Sequence, residues 1–127
     1  MKRFIMTGGI IALLAVALGA FGAHALEDVL TKNDYVDVWE TGVTYQMSHG
    51  IGLILIGILM SKNLLGDVKI LRWAGNLLVV GTLLFSGSLY VLSLSGIKVL
   101  GAITPIGGVC FLAGWLLVII AAKKFAK

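Results

Sequence analysis

The chain has little of what a soluble protein of its length needs. Only 13% of its 127 residues are charged, against about 25% in a typical globular domain, so it cannot coat a globule with polar surface. A single cysteine, Cys110, excludes an internal disulfide and any metal cluster of Cys/His spacing. No polar low-complexity stretch is present, which excludes a disordered chain. The net charge of +4 comes from basic residues at segment ends, without a basic face or an aromatic platform. No nucleic-acid partner is therefore expected.

What is present is apolar. Hydrophobic residues make up 59% of the sequence, and the mean hydropathy is +1.04. Four stretches contain no Asp, Glu, Lys or Arg: Phe4–Leu26 (23 residues), Thr41–Ser61 (21), Trp73–Ile97 (25) and Val99–Ala122 (24). A spanning helix needs about 20 such residues, and only helices or closed barrels can cross lipid with their backbone paired. The expected fold is an all-α membrane protein, a single four-helix transmembrane bundle. Its spans are placed at about 4–26, 34–61, 73–95 and 105–124.

Eight of the ten Lys and Arg residues fall before the first span, between the second and third, or after the fourth; Lys32 and Lys98 lie on the other side. The positive-inside rule puts both termini in the cytoplasm, with the inner plasma membrane as the expected location. Lys2-Arg3, an apolar run and Ala23-His24-Ala25 imitate a cleavable secretory signal. The run exceeds the roughly 7–15 residues of a signal core, so the first span is read as retained.

Local signals refine the ends. Thr104 as N-cap before Pro105 favours a helix start there. Gly96 suits the left-handed position that ends the third helix. The second helix is expected to begin near Asn33, because Tyr35, Val38, Trp39, Gly42, Gln46 and His49 recur at three- and four-residue spacing. Trp39 and Tyr35 would anchor it in the headgroup zone. The 17 glycines are read as close-packing positions. Ala15, Gly19 and Ala23 form a small-residue face on the first helix, and Gly101, Gly107 and Gly108 do something similar near the fourth. Four short helices bury little surface, so a homo-oligomer is expected alongside membrane lipids as partners; its number is not fixed.

Polar groups inside the spans are few and map toward the outer half. His49, Gln46 and Tyr45 on the second helix, Ser86 and Tyr90 on the third, His24 ending the first, and Thr104, Gly107 and Gly108 opening the fourth could line one outer-leaflet pocket. Free backbone N–H groups at that last turn favour an anion, and His49 below them would suit a lipid headgroup or another small amphiphile. Each residue also has a plainer reading. His49, Ser86 and Tyr90 could simply bridge helices, and His24 could be a solvated helix-end residue. Ser88 lies about 200° around the helix from Ser86, off that site.

A bis-histidine haem is disfavoured by an offset of about 9 Å between His24 and His49 along the bundle, and no cofactor is expected. A proton-coupled transporter normally carries an acid near midplane, and none of the six acids lies in a span. A lipid-acting enzyme lacks a second carboxylate or Cys/His set beside a nucleophile. The leading expectation is a non-enzymatic membrane protein with a lipid-binding polar pocket. Its alternative is an interaction protein whose polar residues only lock helices or subunits, and a small transporter or lipid-acting enzyme is the weakest.

Four ordered segments carry a resemblance: Leu18–His24, Thr41–His49, Leu84–Tyr90 and Thr104–Gly108. The chain resembles domain-of-unknown-function family 423, small four-span bacterial inner-membrane proteins similar to the vertebrate transmembrane protein 256. The resemblance implies an integral membrane protein and no particular activity. That family often has an aromatic residue just before the second-helix histidine, where this chain has Ser48; a pocket shaped by that ring would here be wider or wetter.

Overall fold

The computed structural model describes residues 1–127, and every regular element is helical. α1 spans Lys2–His24, α2 Glu27–Asn33, α3 Val36–Leu59, α4 Lys69–Ser95 and α5 Thr104–Phe125, with a 3-10 turn over Lys98–Ala102 before α5. α1, α3 and α4 contain 23, 24 and 27 residues, and α5 with its leading turn 28; their mean hydropathies are 1.4 or higher. At ~1.5 Å per residue each exceeds the ~30 Å of a hydrocarbon core. The protein is an all-α bundle with four helices long and apolar enough to cross a membrane.

α3 and α4 form the central pair: 44% of the apolar window of each is buried, against 17% in α1 and α5. α1 packs on α3, α3 on α4 and α4 on α5. Phe4 of α1 also lies over Gly75 of α4, and Trp115 of α5 over Gly52 of α3. The two outer helices therefore flank the central pair on opposite sides. Leu53, Ile56, Leu71 and Leu78 are at most 1% exposed at its core. Lipid tails are as apolar as leucine, so these contacts are held by dense packing rather than by escape from water.

The seam of α1 differs from the expected one. Its buried residues are Phe4, Gly8, Ala15 and Gly22, so the small residues that pack recur every seventh position. A step of four advances 40° past a full turn, whereas a step of seven falls only 20° short of two turns. Ala23 consequently rotates off the α3 seam and is exposed, while Gly19 stays half-buried at its edge, its Cβ position 3.2 Å from Val43 Cγ1 of α3. Gly101 and Gly108 likewise have open space where a Cβ would stand, while Gly107 packs tightly.

The segment between α1 and α3 is also more ordered than a loop. α2 ends at Asp34, whose φ of 60° is left-handed and whose amide reaches Leu30 O and Thr31 O. That residue breaks the expected continuous helix, and α3 starts at Val36 rather than near Asn33. Trp39 is not an interfacial anchor: it is 4% exposed, and its indole donates to Leu18 O at 3.0 Å. At the far end of α4, Gly96 takes the left-handed cap with φ 72°. Thr104 is inside α5, with Ile103 as N-cap and Pro105 in the first turn; its hydroxyl is engaged elsewhere.

Candidate functional site

The central pair has two faces, and the polar side chains divide between them. On the α1 side, Gln46 of α3 donates from Nε2 to Ile11 O of α1 at 3.0 Å. Tyr90 of α4 donates to Gln46 Oε1 at 2.6 Å, and its ring lies 4.7 Å from the Trp39 ring. Ser86 of α4 donates to Gly42 O of α3 at 2.7 Å. These bonds tie α1, α3 and α4 together. Interhelical hydrogen bonds in a bilayer contribute about 0.6 kcal/mol on average, up to about 1.7. Tyr90→Phe should therefore lower stability by about 1 kcal/mol, measured by unfolding in mixed micelles, with helix content unchanged.

On the α5 side, His49 is 7% exposed and saturated. Its Nδ1 sits 2.8 Å from Tyr45 O, and Trp115 donates from its indole to Nε2 at 3.0 Å. A carbonyl can only accept, so Nδ1 carries the hydrogen and Nε2 the lone pair. The imidazole stacks on Phe111 with centroids 3.6 Å apart and planes at 16°. Tyr45 lies 4.4 Å from Phe85 in the same aromatic layer. His49 is a rivet between α3 and α5.

The nine residues expected in one pocket are thus not brought together. Gln46, Ser86 and Tyr90 share the α1 side, and Tyr45 and His49 share the α5 side. Thr104 pairs with Ser88 at 2.6 Å, on the opposite face of α4 from Ser86. Gly107 packs against the Phe85 backbone, Gly108 faces open space, and His24 is the exposed last residue of α1. Ser48, where the resembling family carries an aromatic ring, is exposed and donates to Thr44 O at 2.9 Å, so it shapes none of this.

A cleft of about 310 Å³ lies between α1 and α4. Ile11 and Leu14 of α1 face Val79 and Leu83 of α4, and Gln46, Ser86 and Tyr90 form its polar floor. Thr82, also in its wall, donates to Leu78 O at 2.8 Å. No buried side-chain polar atom of the chain lacks a partner. The cleft therefore offers carbon surface above a floor of hydrogen-bonding groups already committed to protein, with the Thr7 hydroxyl as the one side-chain polar group in its lining that has no protein partner. Ile11 and Leu14 of its α1 wall were not legible in the sequence because aliphatic side chains in a span carry no signal of which side they face.

A second cleft, about 440 Å³, lies where α2 meets α1 and α3, with Glu27, Thr31, Glu40 and Thr44 in its walls. None of the expected site residues lines it. Its existence depends on α2, which the sequence did not reveal.

Comparison with known proteins places the chain among membrane proteins. A "UPF0382 membrane protein" of Staphylococcus epidermidis is 51% identical over 126 residues, covering 99% of both chains. The "UPF0382 membrane protein YwdK" of Bacillus subtilis is 50% identical over 125 residues, 98% of this chain and 99% of its own. No solved structure matches. The family described as "Protein of unknown function (DUF423)" matches residues 18–108. With that match and relatives at half identity along nearly their whole length, the chain is a multi-pass membrane protein that belongs to the DUF423 family.

Proposed function

We propose that the protein binds lipid, holding one hydrocarbon chain of a membrane lipid in the cleft between α1 and α4, and that it does so without catalysis. The carrying observation is the cleft itself: about 310 Å³ between two membrane-crossing helices, at the lower end of the ~300–1,000 Å³ range of small-molecule sites. The polar groups of Gln46, Thr82, Ser86 and Tyr90 in the cleft are bonded to protein, and Thr7 alone among its polar lining residues makes no such bond, so the occupant that forfeits least hydrogen bonding on entry is hydrocarbon. The rise from Val79 to Tyr90 is ~16 Å at helical pitch, about half a ~30 Å hydrocarbon core. That is the depth of one leaflet.

Ser86, the hydroxyl nearest a catalytic role, gives its hydrogen to Gly42 O and has no base beside it to raise its nucleophilicity. This favours holding a lipid over cleaving one. In this reading the end bearing both termini faces the cytoplasm, where eight of the ten Lys and Arg residues gather.

Gly87 supplies the test. It lines the cleft, and nothing lies within 4 Å of where its Cβ would stand, so Gly87→Phe can fill the cleft without disturbing a helix seam. Native mass spectrometry from mild detergent should show one retained lipid per wild-type chain and a several-fold loss in the variant. Equal retention overturns the reading. So does a doubled mass that Gly87→Phe returns to monomer, because a second copy of the chain would then be the occupant.

A further inference from the structure

The cleft continues toward a charged residue at the end that carries the termini. On α1, Arg3, Thr7, Ile11 and Leu14 follow one another at four- and three-residue spacing, which is one helix face. On α4, Asn76, Val79, Leu83 and Gly87 do the same. The last three of each series line the cleft. The first members close its end, since Arg3 donates from Nη2 to Asn76 Oδ1 across the two helices. The Arg3 guanidinium also sits 5.1 Å over the Phe4 ring, and Phe4 is 3% exposed. Arg3 itself is exposed. One fork of the guanidinium is thus held by protein while the rest is free to bind an acceptor.

From these placements we infer that the lipid taken by the α1–α4 cleft is an anionic phospholipid, with Arg3 as its phosphate-binding residue. The inference rests on the proposed chain site and adds to it the class of head. The axial distance from Arg3 to Thr7 is ~6 Å, so a phosphate on Arg3 leaves a chain directly at the cleft entrance. Guanidinium suits this role because it presents planar, paired donors to phosphate oxygens.

The charge distribution fits the same head. Lys2, Arg3, Lys62, Lys69, Arg72, Lys123, Lys124 and Lys127 share that end of the molecule with one acid, Asp67. Asp67 is paired with Arg72 at 3.5 Å, leaving Arg3 without a competing carboxylate. The other end holds the remaining five acids, Glu27, Asp28, Asp34, Asp37 and Glu40, and would repel an anionic head. A lipid entering from the termini end meets attraction at the mouth and hydrocarbon beyond it.

The experiment is a competition by native mass spectrometry, with equal amounts of phosphatidylglycerol and phosphatidylethanolamine bearing identical chains. Wild-type protein should favour phosphatidylglycerol about five-fold, the effect of one basic residue near an anionic surface. Arg3→Gln, which keeps a donor for Asn76, should bring the ratio near one while both lipids still bind. Lys124→Gln on α5 should keep the five-fold ratio. Gly87→Phe should retain several-fold less of both lipids. A ratio unchanged in Arg3→Gln, or reduced equally in Lys124→Gln, overturns the head assignment and leaves the chain site standing. Full retention of both lipids by Gly87→Phe overturns the chain site itself.

Discussion

Gly8→Ala should destabilise the bundle by about 1–3 kcal/mol, the range for overpacking a close seam, while Gly9→Ala should leave it unchanged or slightly firmer. The two residues are adjacent on one helix and have the same chemistry. A Cβ at Gly8 would stand 2.5 Å from Gly50 O and 2.9 Å from Ile54 N, both backbone atoms of α3 that cannot swing aside. A Cβ at Gly9 meets nothing within 4 Å and brings the alanine helix preference of up to ~1 kcal/mol. Denaturant titration in mixed micelles measures both. Gly107→Ala and Gly108→Ala should reproduce the contrast on α5, because Gly107 faces Phe85 N at 2.5 Å and Gly108 faces open space. Equal effects within each pair would mean that the helices do not approach as described.

His49→Ala should cost about 2–4 kcal/mol of stability, as truncation of a buried ring does, yet leave lipid retention intact. The loss combines the Phe111 stack, the Tyr45 O bond and a Trp115 N–H left without its acceptor. His49→Phe keeps a stacking ring and should recover most of that, leaving a deficit of about 1 kcal/mol for the missing hydrogen bonds. Unfolding in micelles gives the stabilities, and the mass-spectrometric lipid count gives the retention. Release of lipid by His49→Ala at full stability would show that the histidine serves a ligand rather than the α3–α5 contact.

The four long helices were legible because bilayer thickness dictates a run length that composition alone exposes, as Phe4–Leu26 and Trp73–Ile97 show. The cap at Gly96 was legible because a left-handed residue strongly favours glycine. The site was not, and the reason lies in α3. Gln46 and His49 are three residues apart, hence about 60° apart around the helix, and a stripe reading merges them. With α4 packed on α3 between them, that angle sends Gln46 to Ile11 O on α1 and His49 to Trp115 on α5. Periodicity ranks which residues face inward; it does not say which neighbour each will meet.

Trp39 illustrates the same limit. Its position near a span end suggested the headgroup zone, but Gly22 leaves room on α1 for the indole, which turns inward to Leu18 O. α2 escaped notice because seven residues, Glu27–Asn33, are too few to establish a helical period. Ser88 and Ser86 are the converse case. Their angular separation was readable, and the structure sends them to Thr104 and Gly42 O respectively.

The location of the bound chain can be mapped directly with a phospholipid carrying a photoreactive diazirine at mid-chain, reconstituted with the protein, irradiated and digested. Adducts should concentrate on the cleft walls, at Leu14, Val79, Leu83 and their neighbours. An even spread over the apolar surface of α5, at Val109, Leu112 and Leu116, would show that lipid merely solvates the bundle and that the cleft holds none.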